Sequence, residues 1–245
     1  MATDPGGFGK LRVFEDFLGL GHFNGAWTET GLTNIGQLAF TSVNEGAIAH
    51  TVDEPGGVIS ITTDTADNDN ACLYAGTFKP ADGGCVMEAR FKCADITTVS
   101  INCGFSETLS ATTPVQPLEW SGATTASYAV AGGMALANFD ADTTTDVWRA
   151  FFGDASTVSG GGALNGTSSG KAAVNDEWDV VRVEIDPNGY ARVYHDGVLI
   201  KASTSAAVTP TDVMHAILMV ENRSSAANIL EVDYFFAEGF RDWTV

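Results

Sequence analysis

The chain has 245 residues and a formal net charge of −19, from 12 basic and 31 acidic side chains. With so few basic residues and no basic cluster, direct binding to nucleic-acid phosphates is not expected. Hydrophobic residues make up 44% of the chain, which is enough for a sizeable core and argues against disorder. No run of 18 apolar residues occurs, so no membrane-spanning segment is predicted.

The N-terminal residues predict a flexible arm, because Pro5, Gly6, Gly7 and Gly9 disfavour regular structure. We expect an arm over residues 1–13 and a single domain over residues 14–245. The start lacks a charged segment followed by an apolar run, so no secretory signal is predicted. Four cysteines are therefore expected to be reduced core thiols, with one or two disulfides as the alternative and zinc ligation disfavoured by their spacing: Cys72, Cys85, Cys93 and Cys103.

Short apolar segments separated by Gly, Asn and Asp follow, and they predict β-strands. In residues 86–92 polar and charged side chains alternate with apolar ones, which indicates a strand with one wet face and one core face. Two prolines interrupt residues 108–124, for which we predict a mainly solvent-facing loop. Residues 127–139 contain a central pair of glycines, which favours strand, turn, strand over a helix. Residues 153–172 are rich in Gly and Ser and predict a surface loop or an extended hairpin tip.

Residues 178–199 carry the clearest fold signal, because two turns separate three alternating runs. Val181, Val183 and Ile185 fall on one face of an extended strand. Residues 187–189, Pro-Asn-Gly, and residues 196–197, Asp-Gly, are typical of tight turns between antiparallel strands. The segment therefore predicts an antiparallel meander. Residues 214–220 are apolar at nearly every position, which indicates a strand covered on both faces.

The order of these segments resembles the concanavalin A-like jelly roll shared by legume lectins, laminin G-type modules and laminarinase-type hydrolases. The resemblance rests on the strand VMEARFK after GTFKPADGG, the W-x-x-V-x-V-x-x-D strand with its YHDGVLI hairpin, and the closing LEVDYFFAEGF. It implies an all-β, antiparallel two-sheet sandwich with little helix, whose last strand pairs near residues 14–17. This sandwich hosts hydrolases, lectins, adhesion modules and virion proteins, so the resemblance implies no single function.

The opening LRVFEDFLG and the acidic composition rich in Thr, Gly and Ala are also similar to structural proteins of tailed bacteriophages. This similarity implies a non-enzymatic virion protein, first of all a capsid decoration or cement protein that bridges capsomers and is assembled in the host cytoplasm. Its partners would be the major capsid protein or other virion proteins and its own copies, with a trimer favoured. No cofactor, nucleic acid or membrane is expected. The alternative is a carbohydrate-binding module, or a receptor-binding fibre or tail component that binds surface glycans.

Two carboxylate pairs have part of the spacing that glycoside hydrolases use. Laminarinase-type enzymes place their acids as Glu-x-Asp-x-x-Glu or Glu-x-Asp-x-Glu on one strand face. Glu184 and Asp186 are followed at once by a proline turn, and Glu231 and Asp233 by aromatic residues, so neither set is complete. We expect both pairs on outer strand faces as solvated charge, and no catalytic residue is predicted. The histidines also lack a paired spacing that would indicate catalysis or metal binding: His22, His50, His195 and His215.

Two acidic segments offer the oxygen ligands that calcium prefers, namely Asp64, Asp67 and Asp69 with Asn68 and Asn70, and Asp140, Asp142 and Asp146. The EF-hand glycine is missing from both, so we interpret them as acidic loops, with a site completed by other segments as the alternative. No metal ligand is predicted. A sugar-binding platform would need an exposed aromatic ring from Trp27, Trp120 or Trp148, although large aromatics in a sandwich are more often core or interface. The sequons at Asn165 and Asn222 are interpreted as chance.

Overall fold

The computed structural model of the chain describes residues 9–18, 27–28, 33–51, 57–110, 113–120, 126–128, 132–143, 145–154, 157–158 and 167–241. These residues form twenty β-strands, numbered in chain order, and one short 3-10 turn at Pro80–Asp82. All strand pairs are antiparallel, and the described residues contain no α-helix, so none could span a membrane as a helix. The prediction of an antiparallel all-β chain with little helix is confirmed.

The first sheet has nine strands. Across the sheet their order is β18 (Val198–Ala202), β17 (Ala191–His195), β16 (Asp179–Ile185), β8 (Cys85–Cys93), β20 (Ile229–Phe240), β6 (Ile59–Thr62), β5 (Ala47–His50) and β2 (Trp27–Thr28). The ninth strand, β1 (Lys10–Glu15), pairs with the C-terminal part of β20, while β6 pairs with its N-terminal part.

The second sheet also has nine strands. Their order is β14 (Thr157–Val158), β13 (Val147–Asp154), β12 (Met134–Asp140), β9 (Val99–Ser106), β19 (Met214–Asn222), β7 (Asn70–Phe78), β4 (Leu38–Ser42) and β3 (Thr33–Ile35). The ninth strand, β15 (Thr167–Ala172), pairs with β13. A separate hairpin consists of β10 (Leu118–Trp120) and β11 (Ala126–Tyr128).

The inner faces of the two sheets share one hydrophobic core. Phe91 of the first sheet packs against Trp148 of the second, with ring centroids 5.6 Å apart. Within the second sheet, Phe78 and Phe105 meet edge to face at 5.9 Å. The same cluster of buried residues extends from Val13 to Ala237. That residues 14–245 form one domain stays a prediction, which this shared core supports.

The meander predicted for residues 178–199 is confirmed as β16, β17 and β18. Val181, Val183 and Ile185 are buried, and the residues between them face outwards. Asp196 and Gly197 have φ values of +50° and +76°. Two positive φ values in a two-residue loop match the right-handed twist of a hairpin, which explains why an Asp-Gly pair stands there.

Strand β1 corrects the N-terminal boundary. Residues 10–13 were expected in a flexible arm, but Lys10 pairs with Phe240 and the pairing continues to Glu15 and Phe235. Charged and apolar side chains alternate from Lys10 to Val13, and this strand period outweighs the glycine before them. The remainder of the predicted arm, residues 1–8, lies outside the described residues. The pairing of Phe14 and Glu15 with the last strand agrees with the resemblance.

The prediction of a mainly solvent-facing loop over residues 108–124 is wrong for residues 116–120, whereas residues 108, 113 and 115 are exposed. Leu118 and Trp120 are buried and pack with Met134, Leu136 and Phe151 on the outer face of the second sheet. The prolines prevent long strands but still allow side chains to pack against the sheet. This segment therefore covers the outer face of the second sheet. Strands β11 and β12 confirm the two strands predicted within residues 127–139, while residues 129–131 between them lie outside the described residues. The end of β13 together with β14 and β15 accounts for the described part of residues 153–172.

Candidate functional site

The outer face of the second sheet is covered by the chain itself. Every residue of β9 and β12 is buried, as is every residue of β19 except the half-buried His215, although each strand turns alternate side chains to opposite faces. The core accounts for one face, and the segment with β10 and β11 accounts for part of the other. The strand predicted to be covered on both faces, residues 214–220, is therefore confirmed as part of β19.

A row of polar side chains crosses four strands of this covered face. Glu221 is the register partner of Asn70 on β7 and of Ser100 on β9, and Ser100 in turn pairs with Asp140 on β12. All four residues are buried. The covering segment binds this row through Gln116, whose Oε1 accepts a 2.7 Å hydrogen bond from Ser100 Oγ. Gln116 Nε2 also donates to the Ser100 carbonyl at 2.9 Å.

Arg223 binds both carboxylates of the row. Its Nη2 lies 2.6 Å from Asp140 Oδ2, and its Nη1 lies 2.7 Å from Glu221 Oε1. Nη1 also donates to Asn68 Oδ1 at 3.1 Å. One guanidinium thus joins the two acidic segments of the sequence, because Asn68 comes from the first and Asp140 from the second. The Arg223 guanidinium therefore supplies the positive charge that a bound metal ion would otherwise provide for these carboxylates.

The acids in this cluster are hard to ionise. Burial, with a smaller contribution from Glu119, raises the pKa of Glu221 to about 8, against the opposing effect of Arg223. Burial and then the nearby Asp140 raise the pKa of Asp142 above its usual value. Burial also raises the pKa of Glu119. Negative charge is therefore crowded at this end of the sheet, and Arg223 compensates only part of it.

A buried carboxylic acid beside a carboxylate is the arrangement that acid–base catalysis requires. Here, however, the side chains of Asp140 and Glu221 have no exposed surface, and both are bound to Arg223. No substrate can approach either carboxylate while the covering segment and the guanidinium are in place. The arrangement is a structural one, with charge fixed beneath a cover.

A second titratable cluster lies on the inner side of the first sheet's edge. His195 Nε2 is 2.6 Å from Asp179 Oδ1 and 3.7 Å from Asp196 Oδ2. This is the one trio of possible metal ligands of its kind in the part of the chain that the structure describes. Lys171 Nζ lies 2.6 Å from Asp196 and 3.5 Å from Asp179, so a positive charge is already present among them. The His195 ring also packs on Trp148 in the core.

The carboxylate pairs from the sequence lie on the outer face of the first sheet, as expected. Glu184 accepts a 2.8 Å hydrogen bond from Arg182 Nε. Glu231 lies 2.8 Å from Lys92 Nζ, and Asp233 pairs with Arg90. Glu231 and Asp233 therefore form ion pairs with β8, Glu184 pairs within its own strand, and Asp186 accepts hydrogen bonds from the backbone N–H groups of Asn188 and Tyr190. The third carboxylate near Glu184 and Asp186 is Glu238, which comes from β20 and not from the spacing that the hydrolases use.

The tryptophans do not form the sugar platform that the sequence left open. Trp120 and Trp148 are 3% and 1% exposed, and Trp120 Nε1 donates to Asn138 Oδ1 at 2.8 Å. The Trp27 side chain lies outside the described residues, as do His22 and Asn165. Asn222 is fully buried and donates to the Ala66 carbonyl, so its sequon cannot accept a glycan in the folded chain. The four cysteines are free and buried.

A shallow pocket of about 270 Å³ opens at one end of the outer face of the first sheet. It is lined by Glu184, Arg192, Glu238 and Phe240, which come from β16, β17 and β20. An aromatic ring, carboxylates and a guanidinium thus meet on the surface. No spacing pattern in the sequence indicates this group, because sheet pairing brings the residues together from distant positions.

The comparisons with known proteins identify the architecture. No protein-family model and no curated protein matches the sequence. Among solved structures, a protein of unknown function from Shewanella oneidensis MR-1 matches with a TM-score of 0.59 and 12% identity, over 98% of this chain and 90% of that one. The carbohydrate recognition domain of Emp47p matches with a TM-score of 0.54 and 13% identity, over 88% of this chain and 95% of that one. LamAcat from Zobellia galactanivorans matches with a TM-score of 0.54 and 13% identity, over 89% of this chain and 97% of that one.

The fold is a concanavalin A-like sandwich. The jelly-roll prediction is thereby confirmed, whereas the likeness to phage virion proteins stays a prediction. Structural neighbours of this concanavalin A-like sandwich include carbohydrate-binding and carbohydrate-active domains. One of them, LamA, has been solved with laminaritriose and laminaritetraose. Since both lectins and enzymes share the sandwich, the fold assigns no reaction to this chain.

Proposed function

We propose that this protein is a non-enzymatic structural subunit of a bacteriophage particle, which decorates the head and bridges neighbouring capsid subunits. The observation that carries the non-enzymatic part is the covered outer face of the second sheet. Its strands β9, β12 and β19 are buried on both faces, and Arg223 holds the carboxylates beneath the cover. Because the described part of this face has no open cleft, we expect the sandwich to act by contacting other proteins with its surface.

The surfaces fit a role in assembly. Apolar side chains are exposed at one edge of the first sheet, where Val198 is 67% exposed and Leu199 is 48% exposed. Single exposed apolar residues are ordinary, but two in succession on an edge strand favour contact with another protein. The phage assignment itself is supported by the opening LRVFEDFLG and the acidic composition.

The test is to look for the chain in purified particles. We expect mass spectrometry to find it in stoichiometric amounts after density-gradient purification, and a particle reconstruction to place the sandwich on the head. Removal by mild denaturant should lower the resistance of the particle to heat. Release of the protein from cells as a free monomer, with none in particles, would overturn the proposal.

A second candidate function is carbohydrate binding. It is favoured by the carbohydrate-active and carbohydrate-binding structural neighbours, and by the pocket in which Phe240 lies beside Glu184 and Arg192. Sugar rings stack on aromatic side chains, and their hydroxyl groups bind carboxylates and guanidinium groups. A protein with this function would serve as a receptor-binding part of a particle or as a free binding module.

A glycan array tests this second function, with binding at millimolar or lower concentration as the positive result. The variant Glu184→Gln removes a pocket carboxylate, and we expect it to weaken any binding about tenfold. Glu231→Gln is the matched control, since Glu231 lies on the same sheet face but outside the pocket. An array without signal, or equal binding by both variants, counts against carbohydrate binding in this pocket.

A further inference from the structure

The outer face of the first sheet differs in charge from the rest of the molecule. We call the outward side chains of β1, β8, β16, β17 and β20 the mosaic face. It carries six of the 12 basic residues and five of the 31 acidic ones, a net charge of +1 that leaves −20 for the remainder of the chain. The basic residues are Lys10, Arg12, Arg90, Lys92, Arg182 and Arg192, and the acidic ones are Glu88, Glu184, Glu231, Asp233 and Glu238.

In the ion pairs of the mosaic face the basic side chain is the more exposed partner, except that Lys92 is 14% exposed and Glu231 is 23% exposed. Arg12 is 51% exposed, while Glu238, its ion-pair partner at 3.8 Å, is 20% exposed. Arg182 is 40% exposed and its partner Glu88 is 27% exposed. Arg192 is exposed and makes no ion pair within the described residues. A guanidinium has five N–H donors, so even a paired arginine can bind a second carboxylate.

Aromatic rings lie between these cations. The Arg12 guanidinium stands 5.3 Å from the centroid of Phe236, and Lys10 Nζ stands 5.4 Å from that of Phe240. Phe14 is 49% exposed beside Tyr234. Arginine and aromatic side chains are enriched in protein–protein interfaces, whereas they are uncommon on inert surfaces. The mosaic face therefore has the composition of a contact surface that is suited to an acidic partner.

The chain carries such an acidic surface itself. We call the carboxylates around Arg223 the acidic end, which comprises the exposed Asp67 and Asp142 with the half-buried Glu119. Arg223 forms ion pairs with Asp140 and Glu221 beneath them, so it offsets only part of the repulsion among the exposed acids. Burial, then Asp140 and to a smaller extent Asp67, raise the pKa of Asp142 against the opposing effect of Arg223. Cations from outside the protomer would relieve this repulsion.

We propose that a second copy of this chain docks its acidic end on the mosaic face. Two unlike surfaces then meet, which is the head-to-tail contact that builds cyclic oligomers such as trimers. Five strands about 4.8 Å apart and about seven residues long give a flat area on the order of 600 Å², which approaches the roughly 800 Å² per partner of a standard interface. This contact between two copies of the chain does not require a phage particle, so it goes beyond the proposed function. The contact can be absent while the proposed function is correct, and the reverse.

Analytical ultracentrifugation of the full chain at low salt tests the contact. We expect the native protein to associate as its concentration rises, and added salt to weaken the association because exposed charges are screened. The variant Arg12→Ser with Arg192→Ser should weaken self-association at least tenfold. Lys79→Ser with Arg241→Ser is the matched control: it removes the same charge from positions outside the mosaic face and should associate like the native chain.

A mixing experiment tests the head-to-tail geometry. The variant Asp67→Asn, Asp142→Asn should also self-associate at least tenfold more weakly than the native chain, yet it should form one-to-one pairs with the Arg12→Ser, Arg192→Ser variant, because each retains one intact surface. Thermal unfolding of both variants verifies that they fold. A native chain that stays monomeric up to several hundred micromolar would overturn the proposal. So would undiminished self-association of the acidic-end variant, which would mean that mosaic faces pair with each other.

Discussion

At the scale of single residues, Glu221 is a carboxyl group that the fold keeps away from water. It is fully buried near the C-terminal end of β19, and its usual pKa of 4.5 rises to about 8. The folded state therefore holds this proton more tightly than the unfolded state does. Its contribution to stability is fully present below about pH 4.5 and is lost as the pH rises through 8.

We expect the variant Glu221→Gln to flatten this pH dependence. Glutamine keeps the shape of the side chain without the titration, so the free energy of unfolding should fall less between pH 5 and pH 9 than it does in the native chain. The difference should be on the order of a few kcal/mol, since one pKa unit is about 1.4 kcal/mol. Urea denaturation at a series of pH values measures it. Parallel curves for the two proteins would contradict the assignment, and Glu231→Gln serves as an ion-paired surface control.

At the scale of elements, the middle of the second sheet leaves no space at Gly104. A Cβ atom there would lie 2.3 Å from the carbonyl oxygen of Ala135 and 2.5 Å from the Cα of Leu136 on β12. These are backbone atoms of a paired strand, so relief would require β9 and β12 to separate. By contrast, a Cβ at Gly76 on β7 would have its nearest contact at 3.6 Å.

The two glycines therefore make a matched pair for mutagenesis. We expect Gly104→Ala to lower the free energy of unfolding by about 2–4 kcal/mol, a cost typical of forced overpacking. Gly76→Ala should change it by less than about 1 kcal/mol. Thermal and urea unfolding of both variants provide the measurement. Equal stability of the two variants would mean that β9 and β12 are not packed as closely as described.

The strands also show which parts of the fold could be predicted from the sequence and which could not. The strands β8 and β16 were predictable because one face of each is wet, so the alternation in residues 86–92 and 181–186 is visible in the sequence. Burial of residues 116–118 and Trp120 was not predictable, because Gln116 and Trp120 are fixed by hydrogen bonds to Ser100 and Asn138 from distant strands. The cluster around Arg223 was missed for the same reason. Its two acidic segments were noticed, but nothing in their spacing indicates that one arginine joins them.

At the scale of the whole molecule, the four cysteines can report on the unfolding of both sheets. Cys85 and Cys93 lie in the first sheet, and Cys72 and Cys103 lie in the second. Burial raises the pKa of Cys85 and Cys93 to about 12 and raises that of the other two as well. Because the thiolate is the reactive form, all four should resist alkylation in the folded protein.

We expect a pulse of thiol reagent at pH 8 to label no cysteine in the native chain and all four above a single urea concentration. Mass spectrometry of the labelled protein counts the modified residues. Because the two sheets share one core, labelling of the two pairs should follow the same transition. Protection that persists in denaturant without reductant would reveal a disulfide, and labelling of one sheet before the other would contradict a common core.

The strand order of the first sheet has a consequence for co-translational folding on the ribosome. Strand β20 lies between β8 on one side and β1 and β6 on the other, so it joins segments made early in translation to those made in the middle. Until residues 229–240 have left the exit tunnel, β1 has no partner strand and β6 pairs only with β5, so the first sheet remains in three pieces. The sheet is therefore completed by its last strand in chain order. Contacts so distant along the chain also predict slow folding, on the millisecond-to-second scale or longer.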